Sequence, residues 1–181
     1  MMMSIWDRIT GRRGSSGKGA PLAGHAELHA RAEAGDADAM VEYALLLVDD
    51  NPAESTAWLR RAADTGHPQG SYYLGVVLND EGDVDGAREQ WRRATDAGYT
   101  PAMHILGFTL YEAGEVDLAK QHWRRAVDGG NADSMVFLAM RLLQEGDADG
   151  GRALLERAAA LGNQLAVEGL AQLDTSDGRG S

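Results

Sequence analysis

Along most of the chain apolar residues return every three or four positions, and the pattern is cut at regular glycines. From Thr100 to Gly130, Met103, Leu106, Gly107 and Leu110 fall on one helical face, and Ala119, Trp123 and Ala126 fall on another. That is the period of an amphipathic helix, so the segment predicts two helices with Gly114 between them. Glycine accepts the left-handed backbone that closes a helix, and an acidic residue just after it suits the positive end of the next one. Gly82-Asp83 and Gly146-Asp147 repeat this punctuation. The second-helix face recurs as Ala87, Trp91, Ala94 and as Gly151, Leu155, Ala158, a bulky residue between two small ones.

Gly66, Gly98, Gly130 and Gly162 each stand 32 residues after the last. A fixed period of this size marks a supersecondary unit that buries its apolar face only by stacking on copies of itself. The pattern predicts helix pairs at 38–50 with 53–65, 69–81 with 84–97, 101–113 with 116–129, and 133–145 with 148–161. A lone helix at 24–34 and another at 164–173 read as half-repeats that cap the stack. The first copy is one residue shorter in its turn, V-D-D-N-P-A-E. There Asn51 is expected to take the left-handed position of the missing glycine, and Pro52 to start the next helix. Residues 1–20 and 174–181 are rich in Gly, Ser and Arg without periodicity and read as disordered flanks, leaving 21–173 as the repeat domain.

The pattern L-G, then G-[DE]-x-x-x-A-x-x-x-W-x-x-A, resembles the tetratricopeptide-like repeats. The endings A-A-D-T-G-H, A-V-D-G-G-N and A-A-A-L-G-N resemble the Sel-one-like branch of that family. The resemblance covers about residues 24–173 and implies an all-α, right-handed solenoid of four helical hairpins with half-repeat caps. It also implies a non-enzymatic scaffold whose first helices line a concave surface. Two departures stand out: the period is shorter than usual for either branch, and Leu155 replaces the second-helix tryptophan.

The first helices carry a second set of residues offset from the packing face: Val41, Leu45 and Val48, then Tyr72, Val76 and Asn79, then His104, Phe108 and Tyr111, then Val136, Met140 and Leu143. A helix apolar nearly all round is buried on more than one side, so periodicity leaves two readings, packing between hairpins or an open groove. The resemblance puts this set on the concave surface. The candidate protein-binding groove is then Tyr72, Val76, Asn79, His104, Phe108, Tyr111, Val136, Met140 and Leu143. In the last helix the matching Leu165, Glu168 and Gln172 are mostly polar, as suits a cap.

Charge narrows the partners. Seventeen Lys and Arg against 28 Asp and Glu give a net charge of −11. That balance opposes nucleic acid, which requires clustered cations, and favours a protein or peptide with basic residues. The absence of cysteine excludes disulfides and thiolate chemistry. No apolar run approaches the roughly 18 residues of a membrane-spanning helix, and no signal peptide is legible, so a cytoplasmic location is the expectation. Ile5, Trp6 and Ile9 beside Arg8, Arg12 and Arg13 offer an alternative role, a membrane-peripheral regulator tethered through residues 1–13.

Candidate chemistry is sparse. Glu145, Asp147, Asp149, Gly150 and Glu156 fall at calcium-loop positions, yet the loop wants Asp first, and Arg152 stands where an apolar residue is usual. Helix capping explains the same Gly-acid turn in the second, third and fourth copies. His25 and His29, one turn apart, lack a third ligand. No nucleophile, phosphate-loop or dinucleotide motif is present, so the reading assigns no catalytic residue, no cofactor and no metal. Arg60-Arg61, Arg92-Arg93 and Arg124-Arg125 form an outer stripe expected to be neutralised along its own helices by Asp64, Glu89, Asp96, Asp128 and Glu156.

Overall fold

The computed structural model describes residues 22–176, which form ten α-helices and no strand. These are α1 (Leu22–Glu33), α2 (Ala37–Leu47), α3 (Pro52–Asp64), α4 (Pro68–Asp80), α5 (Val84–Asp96), α6 (Thr100–Glu112), α7 (Val116–Asp128), α8 (Ala132–Gln144), α9 (Ala148–Ala160) and α10 (Gln164–Ser176). The pairs α2/α3, α4/α5, α6/α7 and α8/α9 pack closely as hairpins, and the fold is an all-α repeat solenoid. Two compact units divide the chain, one up to Tyr99 and one from Thr100. Every expected helix is present within about three residues. The last runs to Ser176, past the boundary read from composition. The flank 1–20 and its membrane-contacting turn lie outside the described residues.

Regularity comes from the connectors. Helices α3 to α10 are each 13 residues long, and glycines 66, 82, 98, 114, 130, 146 and 162, sixteen apart, all have φ between 82 and 89°. A side chain there would be strained, which is why the punctuation is glycine. The residue after each glycine donates its N–H back into the finished helix: His67 to Ala62 O at 3.2 Å, Asp83 to Leu78 O at 2.8 Å, Asn131 to Ala126 O at 2.9 Å. Often the same residue then caps the following helix. Asp83 Oδ1 accepts from Gly86 N at 2.9 Å, Asn131 Oδ1 from Ser134 N at 2.7 Å, and His67 Nδ1 from Gly70 N at 3.2 Å.

The first hairpin departs from this rule and corrects two expectations. Asn51 is not left-handed; its φ is −147°, and its side chain accepts from Glu54 N as the cap of α3. The shortening falls on the helix and not, as expected, on the turn: α2 is 11 residues long. Val48 leaves it in the right-handed region, and the turn 48–51 is longer than the other connectors. That turn therefore needs no left-handed residue, and a non-glycine would gain nothing by adopting one.

Within each hairpin a large side chain of the second helix sits against a small residue of the first. The anchor positions are Leu59, Trp91, Trp123 and Leu155, all at most 2% exposed. Opposite them stand Ala44, Gly75, Gly107 and Ala139, so glycine faces tryptophan and alanine faces leucine. A Cβ on Gly75 would lie 2.5 Å from Trp91 Nε1, and one on Gly107 2.6 Å from Trp123 Cδ1. The leucine in copy four is therefore matched across the hairpin rather than a lapse.

Two stability results follow from this packing. Trp91→Ala is expected to cost about 3–5 kcal/mol in denaturant melts; a loss below about 1 kcal/mol would mean the indole is not an anchor. Gly107→Ala should destabilise by about 1–3 kcal/mol through overpacking, although alanine is the better helix former by about 1 kcal/mol. Combined with Trp123→Leu, which recreates the copy-four pair, it should cost less than the sum of the single changes by about 1 kcal/mol or more. Simple additivity would contradict the size match.

Candidate functional site

A connected, half-open aromatic surface lies in the second unit, where α6 and α8 run side by side over α7. Its floor is Trp123, 1% exposed, with the Phe137 ring stacked on it at 5.3 Å and 26°. Phe108 meets Phe137 edge-on at 5.8 Å, and His104 approaches it at 5.6 Å. Phe108, Phe137, Tyr111 and Leu143 are half-buried, and Met140 is 47% exposed. Rings held from below yet open above present a preorganised apolar contact area.

Polar contacts fix the two helices in register. His104 Nδ1 lies 2.8 Å from Ser134 Oγ. Arg141 donates to the Tyr111 hydroxyl at 3.0 Å while its guanidinium covers that ring at 4.8 Å. Burial holds the His104 imidazole below its ordinary range, with Asp133 pulling weakly the other way. The indole of Trp123 also touches Tyr111 at 5.7 Å, so the rings form one connected cluster.

The nine groove candidates do not share one fate. Tyr72 is 6% exposed, Val76 0% and Val136 6%, so these three belong to the core and offer nothing to a partner. In the first unit the Tyr72 ring is wedged between Tyr73 at 5.2 Å and Tyr99 at 5.3 Å, and its carbonyl accepts the Trp91 indole N–H at 3.2 Å. Burial pushes the Tyr72 phenol far up. Asn79 is half-buried on the same unit. His104, Phe108, Tyr111, Met140 and Leu143 come together in the second unit. Sequence reasoning missed Phe137 and Arg141, although Tyr73, Ile105 and Phe137 form a column at the repeat spacing that pointed to this face.

The acidic turn of copy four is occupied by structural work. Asp147 Oδ1 accepts from Gly150 N at 2.9 Å, and Glu145 pairs with Lys120 at 2.6 Å. Among the described residues no group of three or more His, Asp or Glu is placed to hold a metal. His29 packs against Tyr43 and Trp58 at 5.0 and 5.8 Å. In the arginine stripe, Arg92 and Arg93 pair along their helix with Glu89, and Arg61 reaches across to Glu33. Arg152, on the second helix of copy four, likewise reaches Asp174 on another helix.

Residues 68–93 and 132–157 match the tetratricopeptide repeat family model. No curated protein matches the sequence significantly. Among solved structures, the chain resembles a protective antigen of uropathogenic Escherichia coli with an SLR fold (TM-score 0.76, 18% identity, covering 86% of this chain and 37% of that one). It also resembles a Sel1 repeat protein from Oxalobacter formigenes (TM-score 0.75, 24% identity, covering 83% and 48%). At 21% identity it resembles an immunity protein of Pseudomonas aeruginosa (TM-score 0.59, covering 90% and 67%). The chain thus spans less than half the length of the first two. No described helix is long and apolar enough to cross a membrane.

His104 gives the site a pH signature. Its folded pKa lies below the ordinary value of 6.5, so the unfolded chain takes up a proton first as pH falls. Stability should drop on acidification through and below the ordinary histidine range, and His104→Gln should flatten that decline in denaturant midpoints measured across it. An equally steep decline in the variant would assign the dependence elsewhere.

Proposed function

We propose that the chain, a tetratricopeptide-like repeat protein with the Sel1-like fold, is an interaction scaffold that captures a peptide or helix on the aromatic face of α6 and α8. Repeats of this kind commonly mediate protein–protein contact. The observation that carries the reading is the open cluster of Phe108, Phe137 and Met140 on a buried tryptophan floor. Aromatic anchors near the centre of an interface supply most of the binding energy, and a preorganised ring loses little entropy on contact. Glu112 and Asp133 at the edge of this face are exposed acids, which suits a partner carrying basic residues. The partner would lay alternate apolar side chains on the rings and its cations on the rim.

A paired measurement tests this. Phe108→Ala and Met140→Ala should each leave the melting temperature within a few degrees while weakening a purified partner, first recovered on the immobilised protein, by about 30-fold for the phenylalanine. Glu112→Gln should act mainly on the association rate and its salt dependence. If both truncations unfold the protein while the remaining folded fraction binds normally, the face is core and the reading fails.

A further inference from the structure

Among the described residues, the first and last helices of the repeat array have no hairpin partner. α10 is built as a first helix: Asn163 caps it through Ala166 N at 3.1 Å and reaches Asp133 at 2.7 Å. Its Ala166 occupies the buried small position of Gly70, Ala102 and Ser134. α1 is built as a second helix, with Gly24 and Leu28 in the register of Ser55 and Leu59, Ala87 and Trp91, Ala119 and Trp123, Gly151 and Leu155.

Positions that a hairpin partner buries elsewhere are open at these ends. Val167 is 46% exposed, whereas its counterparts Met40, Met103 and Met135 are 4, 7 and 2% exposed. Ala171 is exposed, whereas Ala44 and Ala139 are fully buried. A Cβ on Gly24 would meet nothing within 4 Å, while one on Gly151 would meet Leu143 at 2.6 Å. The last copy also turns apolar where the others do not. Leu161 and Leu165, 60 and 61% exposed, replace Thr65, Ala97 and Gly129 and Gln69, Pro101 and Asp133.

We propose that α10 of one copy packs on α1 of a second copy, completing a hairpin between chains and joining molecules head to tail. The size match seen inside the hairpins selects this pairing: Ala171 stands where alanine faces leucine, and α1 presents Leu28. A two-fold pairing of α10 with itself would set alanine against alanine and leave Leu28, half-buried against the core of its own unit, without a partner on its open side. Because the joined surfaces differ, one joint leaves an α1 face free on one copy and an α10 face free on the other, so further copies add beyond the dimer, as an open series or a larger ring.

Sedimentation of the full chain from micromolar to a few hundred micromolar tests this. The mass should rise with concentration beyond a dimer. Gly24→Arg and Ala171→Arg each block one end at a solvent-open position, so helix content and melting temperature should stay unchanged while each variant sediments as a monomer. Their equimolar mixture should form a dimer and stop there, since only one compatible joint remains. A monomeric wild type overturns the proposal, including the case where deleting residues 1–20 releases association, which would assign the α1 face to that segment. Association that ends at a dimer, or a mixture that stays monomeric, overturns it as well.

Discussion

Every hairpin rests on one steric constraint: the second helix brings in a large side chain, tryptophan in two copies and leucine in two, and the first helix must make room for it. Gly75 and Gly107 lie so close to the indoles that a single methyl has no place. Where the anchor is leucine, an alanine fills the gap. Close packing punishes a mismatch in either direction, so the two positions act as one unit of two residues.

Much of the fold was legible because its signals are local. Glycine spacing and three-to-four periodicity depend on the chain's own backbone, and they placed every helix. Asn51 escaped because asparagine serves both as a left-handed residue and as a helix cap, and the choice depends on how long a turn precedes it. The site was only partly legible. Periodicity identified Phe108, Tyr111 and Met140 but cannot tell an outward face from one covered by the neighbouring hairpin. Tyr72 and Val136 share the register of half-buried His104, and Val76 that of half-buried Phe108. The Tyr72 ring is covered in part by Tyr99, which lies beyond the next helix where no single-helix pattern reaches.

The aromatic face gains rigidity from the same anchor. Trp123 fills the hairpin below and supports Phe137 above, so stability and display meet in one indole. A change there loosens the surface rings together with the core. Met140, flexible and half exposed, sits outside this rigid set and suits adjustment to different side chains.

The connectors set the mechanics of each unit. Where one residue ends a helix and also caps the next, both its backbone N–H and its side chain are committed, as at Asp83, Asn131 and Asp147. Such a joint cannot act as a hinge, because swinging it would break two hydrogen bonds and strain a left-handed glycine at once. Compliance must then come from small sliding of packed helices past one another, a shear spread over many contacts. A partner that needs this surface to bend would meet a stiff spring, and within the second unit the turn 113–115, where Glu115 makes no side-chain cap, is the connector held by backbone bonds alone.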